Sequence, residues 1–387
     1  MAESLVIKKF GAIEKAKLDN IGQLLILIGE SGSGKSTILK VLSMCRWIYK
    51  QQNIRAYLRE SGVNKVPFGH NINDYLKSSG LQDYVREGTL IQFDRDGVSI
   101  TIRAKVPFQR PNSATMEVTE PTKEDLCLEK VCYMTEKRNL LADLLTGNFE
   151  KAINDYYLND LHSEVREAWK KVRDLRIAAV DVDLHTKKVG NSDALMIEGV
   201  GVNGDAYSIH FEDSSSGIQS TVPLEMLMTY YAKYFNLEQS LNTGVINFLG
   251  RMDALKYFRP NQNIGEIDRK CIDVHIEEPE MCLYPTNQIK WFNHLLEQTM
   301  VDEHPYMIRT AITTHSPYLL NYLNLLFKAN DMQQPFHGVS LDYDIVTVYA
   351  VDGGRVRDLK VRNAHLVDPA YLSAPIDDIY NEYEALG

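Results

Sequence analysis

Leu24-Leu-Ile-Leu-Ile-Gly29-Glu-Ser-Gly-Ser-Gly-Lys-Ser-Thr37 is the stretch whose reading decides the fold. Gly-x-x-x-x-Gly-Lys-Ser runs from Gly29 to Ser36. Before it, Leu24 to Ile28 is a continuous apolar run of strand length, as a parallel strand buried on both faces should be. After it, Ile38, Leu39, Val41 and Leu42 recur at helical spacing. The pattern therefore predicts a phosphate-binding loop at a helix N-terminus, where unpaired backbone N–H groups meet nucleotide phosphates. Gly29, Gly32 and Gly34 let the backbone wrap closely, with Glu30, Ser31, Ser33 and Thr37 completing the loop. Lys35 is expected to reach the β- and γ-phosphates, and Ser36 to offer its hydroxyl to Mg²⁺.

At 387 residues the chain can hold one large α/β core with a subdomain, or two domains. The start resembles no signal peptide, and there are nowhere 18 uninterrupted apolar residues, so a soluble, cytoplasmic protein without a membrane role is expected. Five cysteines (Cys45, Cys127, Cys132, Cys271, Cys282) with no Cys-x-x-Cys pair fit reduced thiols rather than a disulfide or zinc framework. A net charge of −10 favours protein partners over bulk nucleic-acid binding, although one basic groove can hide in that sum.

Leu5 to Phe10 and Ala16 to Asn20 read as strands leading into the loop strand, and the helix from Ser36 as ending near Gln51. Asn71 to Leu76 reads as a short helix. Thr89 to Phe93 and Val98 to Lys105 alternate around the turn Arg95-Asp96-Gly97, predicting a β-hairpin. Pro107, Pro111 and Pro121 mark a loop with a strand at Thr115 to Thr119. Lys130 to Met134 reads as a buried strand. Helical spacing from Asn139 to about Arg176 (Leu140, Leu144, Ile153, Tyr157, Leu161, Val165, Trp169) predicts a small helical insertion. Its basic end (Lys170, Lys171, Arg173, Arg176) is better read as a solvated helix end than as a nucleic-acid contact. Strands are expected at Val180 to Asp183, Ala194 to Ile197 and Ala206 to Phe211. A division into 1–138, 139–176, 177–330 and 331–387 follows. These are two halves of one core around the insertion, then a hairpin (Ile345 to Ala350, Arg355 to Val361) and an acidic tail.

Three further motifs sit at element ends. Ser214-Ser-Ser-Gly-Ile-Gln219 precedes an apolar helix read from Val222 to about Tyr234, and small residues there suit anionic oxygens. Glu277-Glu-Pro-Glu280 follows a strand at the end where open α/β sheets bind ligands. Position assigns Glu277 to the magnesium shell and Glu278 to the base that deprotonates the attacking water. Thr314-His315-Ser316-Pro317 follows the next strand, Met307 to Thr313, where His315 can bond a γ-phosphate oxygen or that water. Taken alone, each has a structural reading as a helix cap, a charged turn or a core histidine. Their order carries the inference.

That order resembles the ABC-type ATPases, and most of all the soluble OLD-like and RecF/SMC-like branch. Ile7-Lys-Lys-Phe-Gly-Ala-Ile13 looks like its first strand, and Glu277 to Pro285 resembles its Glu-Glu-Pro-Glu-x-x-Leu-His-Pro motif, with Tyr284 in place of His. Tyr133 to Asn139 is similar to its Tyr-Ile-Pro-Ala-Glu-Arg-Asn segment, with Thr135 for Pro, Lys137 for Glu, and Arg138 retained. The resemblance implies an α/β P-loop NTPase fold of ABC type with an antiparallel β-subdomain, using ATP and Mg²⁺. It also implies a head-to-tail homodimer or higher homo-oligomer. In that assembly Ser215, Ser216, Gly217 and Gln219 of one copy close on the nucleotide held by Gly29 to Thr37 of the other. Only about 70 residues follow His315, so no TOPRIM nuclease domain is expected, and an effector, nuclease or toxin, would be a separate protein. The ATPase subunits of the two-gene anti-phage systems PARIS and Septu are of this kind. A RecF/SMC-like DNA-repair or chromosome ATPase is the alternative, and a transporter subunit is disfavoured by Ser214 and the Glu-Glu-Pro-Glu form.

Overall fold

The computed structural model describes residues 3–63, 71–104, 114–146, 155–190, 192–251, 255–260, 266–301 and 303–386. Lys105, Pro107, Pro111 and Ile153 lie outside them. The chain opens with β1 (Glu3–Phe10), β2 (Ile13–Leu18) and β3 (Leu24–Ile28), then α1 (Lys35–Glu60) and the short α2 (Ile72–Ser78). All five residues of β3 are buried. Leu24, Ile26 and Ile28 point into one hydrophobic core and Leu25 and Leu27 into another, on opposite faces of the sheet. Each such side chain contributes about 1.5–3 kcal/mol by leaving water, which fixes β3 at the centre. α1 runs on past Gln51 to Glu60.

Next come β4 (Val85–Arg95), β5 (Val98–Ala104), β6 (Ala114–Val118), β7 (Cys127–Met134), α3 (Leu141–Leu145) and α4 (Tyr156–Trp169). β4 and β5 form the expected hairpin, with Arg95 opposite Val98. Leu158, Leu161, Val165 and Ala168 of α4 join the main core, and α4 lies against β7. The helical reading fails at its end, because Asp174–Ile177 is a strand, β8. Arg176, expected on a helix, faces Asp183 across the ladder of β8 with β9 (Val182–Val189) and bonds it at 3.0 Å. Arg173 pairs with Asp193 at 2.7 Å and Lys170 with Glu167, so these charges are paired at the surface. β10 (Ser192–Val200) and β11 (Ala206–His210) complete a four-stranded antiparallel sheet, in which β9 and β10 are longer than the sequence suggests and β11 stops one residue short of Phe211.

α5 (Ser216–Lys233) starts six residues earlier than its apolar run, and α6 (Leu237–Arg251) follows. The last part holds β12 (Arg269–Glu277), α7 (Pro285–Leu296), β13 (Met307–Thr314), α8 (Pro317–Asp331), β14 (Val346–Asp352), β15 (Arg355–Asp358), β16 (Lys360–Val361), β17 (Leu366–Val367) and α9 (Ala370–Ala385). The acidic tail is thus a helix. The main sheet runs β6-β5-β4-β1-β2-β15-β14-β3-β13-β12-β7. β14, β3, β13, β12 and β7 are mutually parallel, whereas β6 to β2 are antiparallel, and β15 splices the two parts. The parallel strands present their C-terminal ends, with Gly29, Glu277 and Thr314 just beyond or at them, along one edge.

Beneath α1 the α/β core is charged. Glu3, Glu129 and Asp273 meet Arg46, Arg95 and Arg309, all buried. Arg309 holds Asp273 at 2.6 Å and Glu3 at 2.7 Å, Arg46 holds Glu3 at 2.8 Å, and Arg95 holds Glu129 at 2.7 Å. Each cation has a carboxyl partner, the condition under which buried ions are tolerated, while burial, against the pull of Arg95, pushes the Glu129 carboxyl well up.

Candidate active site

Gly34 caps α1 at φ +107 with no side-chain cap, leaving the first-turn N–H groups open to a ligand. A Cβ there would lie 2.4 Å from Ile13 Cδ1, and one at Gly29 would lie 2.2 Å from the Val351 carbonyl, so neither position accommodates a side chain. The loop is thereby pinned between the β1–β2 turn and β14. Lys35 is buried and its Nζ donates to the Gly29 and Glu30 carbonyls, both at 2.9 Å. Burial lowers its pKa, while the nearby Glu278 and Glu280 carboxylates act to raise it. Glu30 and Ser31 are exposed, Ser33 and Ser36 half-buried, and Thr37 buried.

Glu277 ends β12 with its side chain buried. Oε2 accepts the Glu136 N–H at 3.4 Å, Lys40 Nζ stands 3.9 Å from Oε1, and Oε1 has no hydrogen-bond partner. Burial first, then the Glu136 side chain, pushes the Glu277 carboxyl up to about 7, against the pull of Lys40 and Ser36. Burial also works against the charged form of Glu136, yet bonds from Glu277, Thr135 and its own backbone outweigh it and hold it at about 2. An orphaned buried carboxylate oxygen beside the loop serine is the donor set a hard, oxygen-seeking cation takes, so these residues fit Mg²⁺. Lys40 escaped the sequence reading, although it lies one helical turn from Ser36 on the same face.

The next residue is built differently. Glu278 has φ +42, strained for a side-chain-bearing residue, and its N–H donates to the Thr313 carbonyl at 3.0 Å. This turn sends its side chain outward to His315, whose Nε2 is 3.3 Å from Oε1, with about a third of each side chain exposed. Glu280 Oε1 accepts the His315 N–H at 2.6 Å, and its other oxygen is buried without a partner. Burial raises the Glu280 pKa. Glu280 thus fixes the backbone of His315, a role unread from sequence although the fourth letter of Glu-Glu-Pro-Glu was its signal. The structure therefore brings together Lys35, Ser36, Glu277, Glu278 and His315, which lie far apart in the chain.

The serine loop stands elsewhere. Ser215 caps α5, and both Ser215 and Ser216 are exposed. Gln219 Nε2 donates to the Glu212 and Ser214 carbonyls at 2.7 and 3.0 Å, so its amide braces its own loop. Gly217 packs on the carboxylate turn, where a Cβ would lie 2.9 Å from the Cys282 carbonyl. Among the described residues no hydrogen bond joins Ser215 to Gln219 with Gly29 to Thr37 of the same chain.

No known family matches the sequence, and no curated protein does. Solved structures give distant likenesses in shape. The SMC head domain from Thermotoga maritima is 10% identical over 92% of this chain and 97% of its own, with a TM-score of 0.39. A recombination mediator protein RecF with a bound ATP analogue is 11% identical over 93% and 98%, with a TM-score of 0.36. An ATP-binding cassette of an ABC transporter is 13% identical over 98% and 99%, with a TM-score of 0.38.

Proposed function

We propose that the chain binds and hydrolyses ATP with Mg²⁺ and works as an ABC-type switch that closes head-to-tail with a second copy. The observation that carries this is the Glu278–His315 pair at 3.3 Å beside Lys35, next to a buried carboxylate with one unpartnered oxygen. Lys35 would exchange the neutral carbonyls of Gly29 and Glu30 for phosphate oxygens, a stronger, charge-assisted contact. Mg²⁺, held by Ser36 and Glu277, would supply charge neutralisation at the β- and γ-phosphates. Glu278 Oε1 takes a proton from water as its oxygen attacks the γ-phosphorus, and the β–γ bridging bond breaks toward ADP. His315 orients Glu278 and the water. Such a positioned base contributes about 10²–10⁴ in rate. Ser215, Ser216 and Gly217 of the second copy would complete the site, with the α5 N-terminus facing the phosphates.

The switch would restrain or activate a separate effector, a nuclease or toxin from a neighbouring gene, in cytoplasmic anti-phage defence. No helix among the described residues is long and apolar enough to cross a membrane. Purifying the chain from cells that carry its neighbouring genes tests this. A stoichiometric effector, and phage protection that disappears with Lys35→Ala or Glu278→Gln, is the expected result; protection indifferent to both removes the switch.

One observation favours the DNA-repair or chromosome alternative. Lys8 sits directly opposite Lys15 across the β1–β2 ladder, and both line a cavity of about 630 Å³ with Lys9, Arg355, the single carboxylate Glu14 and Lys17, which pairs with Asp19. Like charges paired across strands are unfavourable unless a polyanion joins them. Salt-dependent DNA binding by the isolated chain, lost in Lys8→Glu/Lys15→Glu, would move the reading there.

A further inference from the structure

Arg138 lies in the 3-10 turn Glu136–Leu140 after β7 and is fully buried, yet no carboxylate comes within ion-pair distance of it among the described residues. Its guanidinium gives every bond to main-chain carbonyls. Nη1 donates to Glu277 at 2.6 Å and to Thr135 at 3.3 Å, Nη2 to Glu278 at 2.6 Å, and Nε to Ser220 at 3.1 Å. Burying a cation without a carboxylate in direct contact is costly, and burial, against the pull of the Glu280, Glu277 and Glu278 carboxylates, holds this one down to about 10, still charged at neutral pH. A position that needed only volume would be filled better by an apolar side chain. What an arginine adds is a rigid planar fork whose donors reach three chain segments at once.

Two of those segments are functional. Glu277 and Glu278 are the proposed metal ligand and base, and Ser220 lies in α5 one turn beyond Gly217. We propose that Arg138 is a positioning residue for ATP hydrolysis, coupling the Glu277–Glu278 turn to the helix whose first turn meets the second copy's nucleotide. The inference rests on the ATPase reading. When nucleotide and metal draw the carboxylate turn inward, the fork carries that displacement to the Ser220 carbonyl and so to α5. The contact between Gly217 and the Cys282 carbonyl supplies the stop against which α5 turns.

Arg138→Lys keeps the charge and loses the fork. On the full chain, three quantities separate coupling from mere folding: the Kd for a fluorescent non-hydrolysable ATP analogue, kcat per analogue-binding site, and amide exchange at Thr221, Val222 and Leu224 with and without the analogue. The exchange is read at a protein concentration too low for two copies to associate. The expected result is a Kd within about twofold of wild type and a kcat lower by about 10–100-fold, the size of a small misplacement of reacting groups. Nucleotide-induced slowing of exchange should persist in the phosphate loop and vanish in α5. A kcat per site within twofold of wild type, or Kd and kcat lost together, overturns the coupling. Should Arg138→Lys not fold, the wild-type exchange alone decides, since a slowed phosphate loop with an unchanged α5 also overturns it. Wild-type protein that binds no analogue would overturn the ATPase reading and the coupling with it.

Discussion

On the inner face of α5, Glu225 is buried, and its two oxygens accept the Ala178 and Ala179 N–H groups at 3.0 and 3.2 Å. Burial outweighs those two bonds and pushes its carboxyl up to about 7. Unfolded, the same group ionises near 4.5, so between these values the unfolded chain binds fewer protons and stability falls as pH rises. Glu225→Gln has nothing to titrate. From pH 5 to 7.5 wild type should lose about 2 kcal/mol relative to Glu225→Gln in urea unfolding. Groups common to both proteins, Glu277 among them, cancel in that difference, and a difference constant with pH would contradict the burial argument. Residues of this sort are hard to read in advance. Lys35, Ser36 and Glu278 declare themselves because their chemistry is written in local spacing, whereas Glu225, Glu280 and Arg138 acquire roles only from carbonyls and amides that tertiary packing brings to them.

Among elements, the end of α1 shows why boundaries fail. Gln51, Gln52 and Asn53 look like a helix running out into solvent, yet all three are buried. Asn53 Oδ1 accepts the Cys127 N–H at 2.7 Å while its Nδ2 donates to the Tyr49 carbonyl at 2.9 Å, tying α1 to the first residue of β7. Asn53→Leu would strand a buried N–H, at about 1–3 kcal/mol. Chemical denaturation should show that loss with ATP affinity unchanged, and an unchanged midpoint would mean another acceptor replaces Asn53. β8 is illegible in the sequence for a related reason. Its four residues alternate a half-buried Leu175 and buried Ile177 with exposed Asp174 and Arg176, but four residues beside a strong helical pattern cannot establish a period of two. The start of α5 is hidden in the sequence because Ser216 to Thr221 is mostly polar and Pro223 looks like a first-turn residue, although it sits inside the helix.

For the molecule as a whole, the parallel strand run and its edge of motifs were legible because each motif follows its own strand. The splice through β15, the four-stranded second sheet and the buried charge cluster were not. Glu3, Arg46, Arg95, Glu129, Asp273 and Arg309 are spread over most of the chain, and nothing local marks them as one network. The cluster sits under α1, on the opposite side of β12 from Ile272, Val274 and Ile276, so the strand that ends in Glu277 is held by ion pairs on one face and apolar packing on the other. On the proposed function this strand delivers a magnesium ligand and a base to a nucleotide shared by two copies. Light scattering of Glu278→Gln with ATP and Mg²⁺, with phosphate release followed in the same sample, tests it most directly. A stable dimer that keeps its ATP and releases phosphate at least about 100-fold more slowly than wild type is expected. Wild-type phosphate release, or ATP held by a chain that stays monomeric, would contradict it.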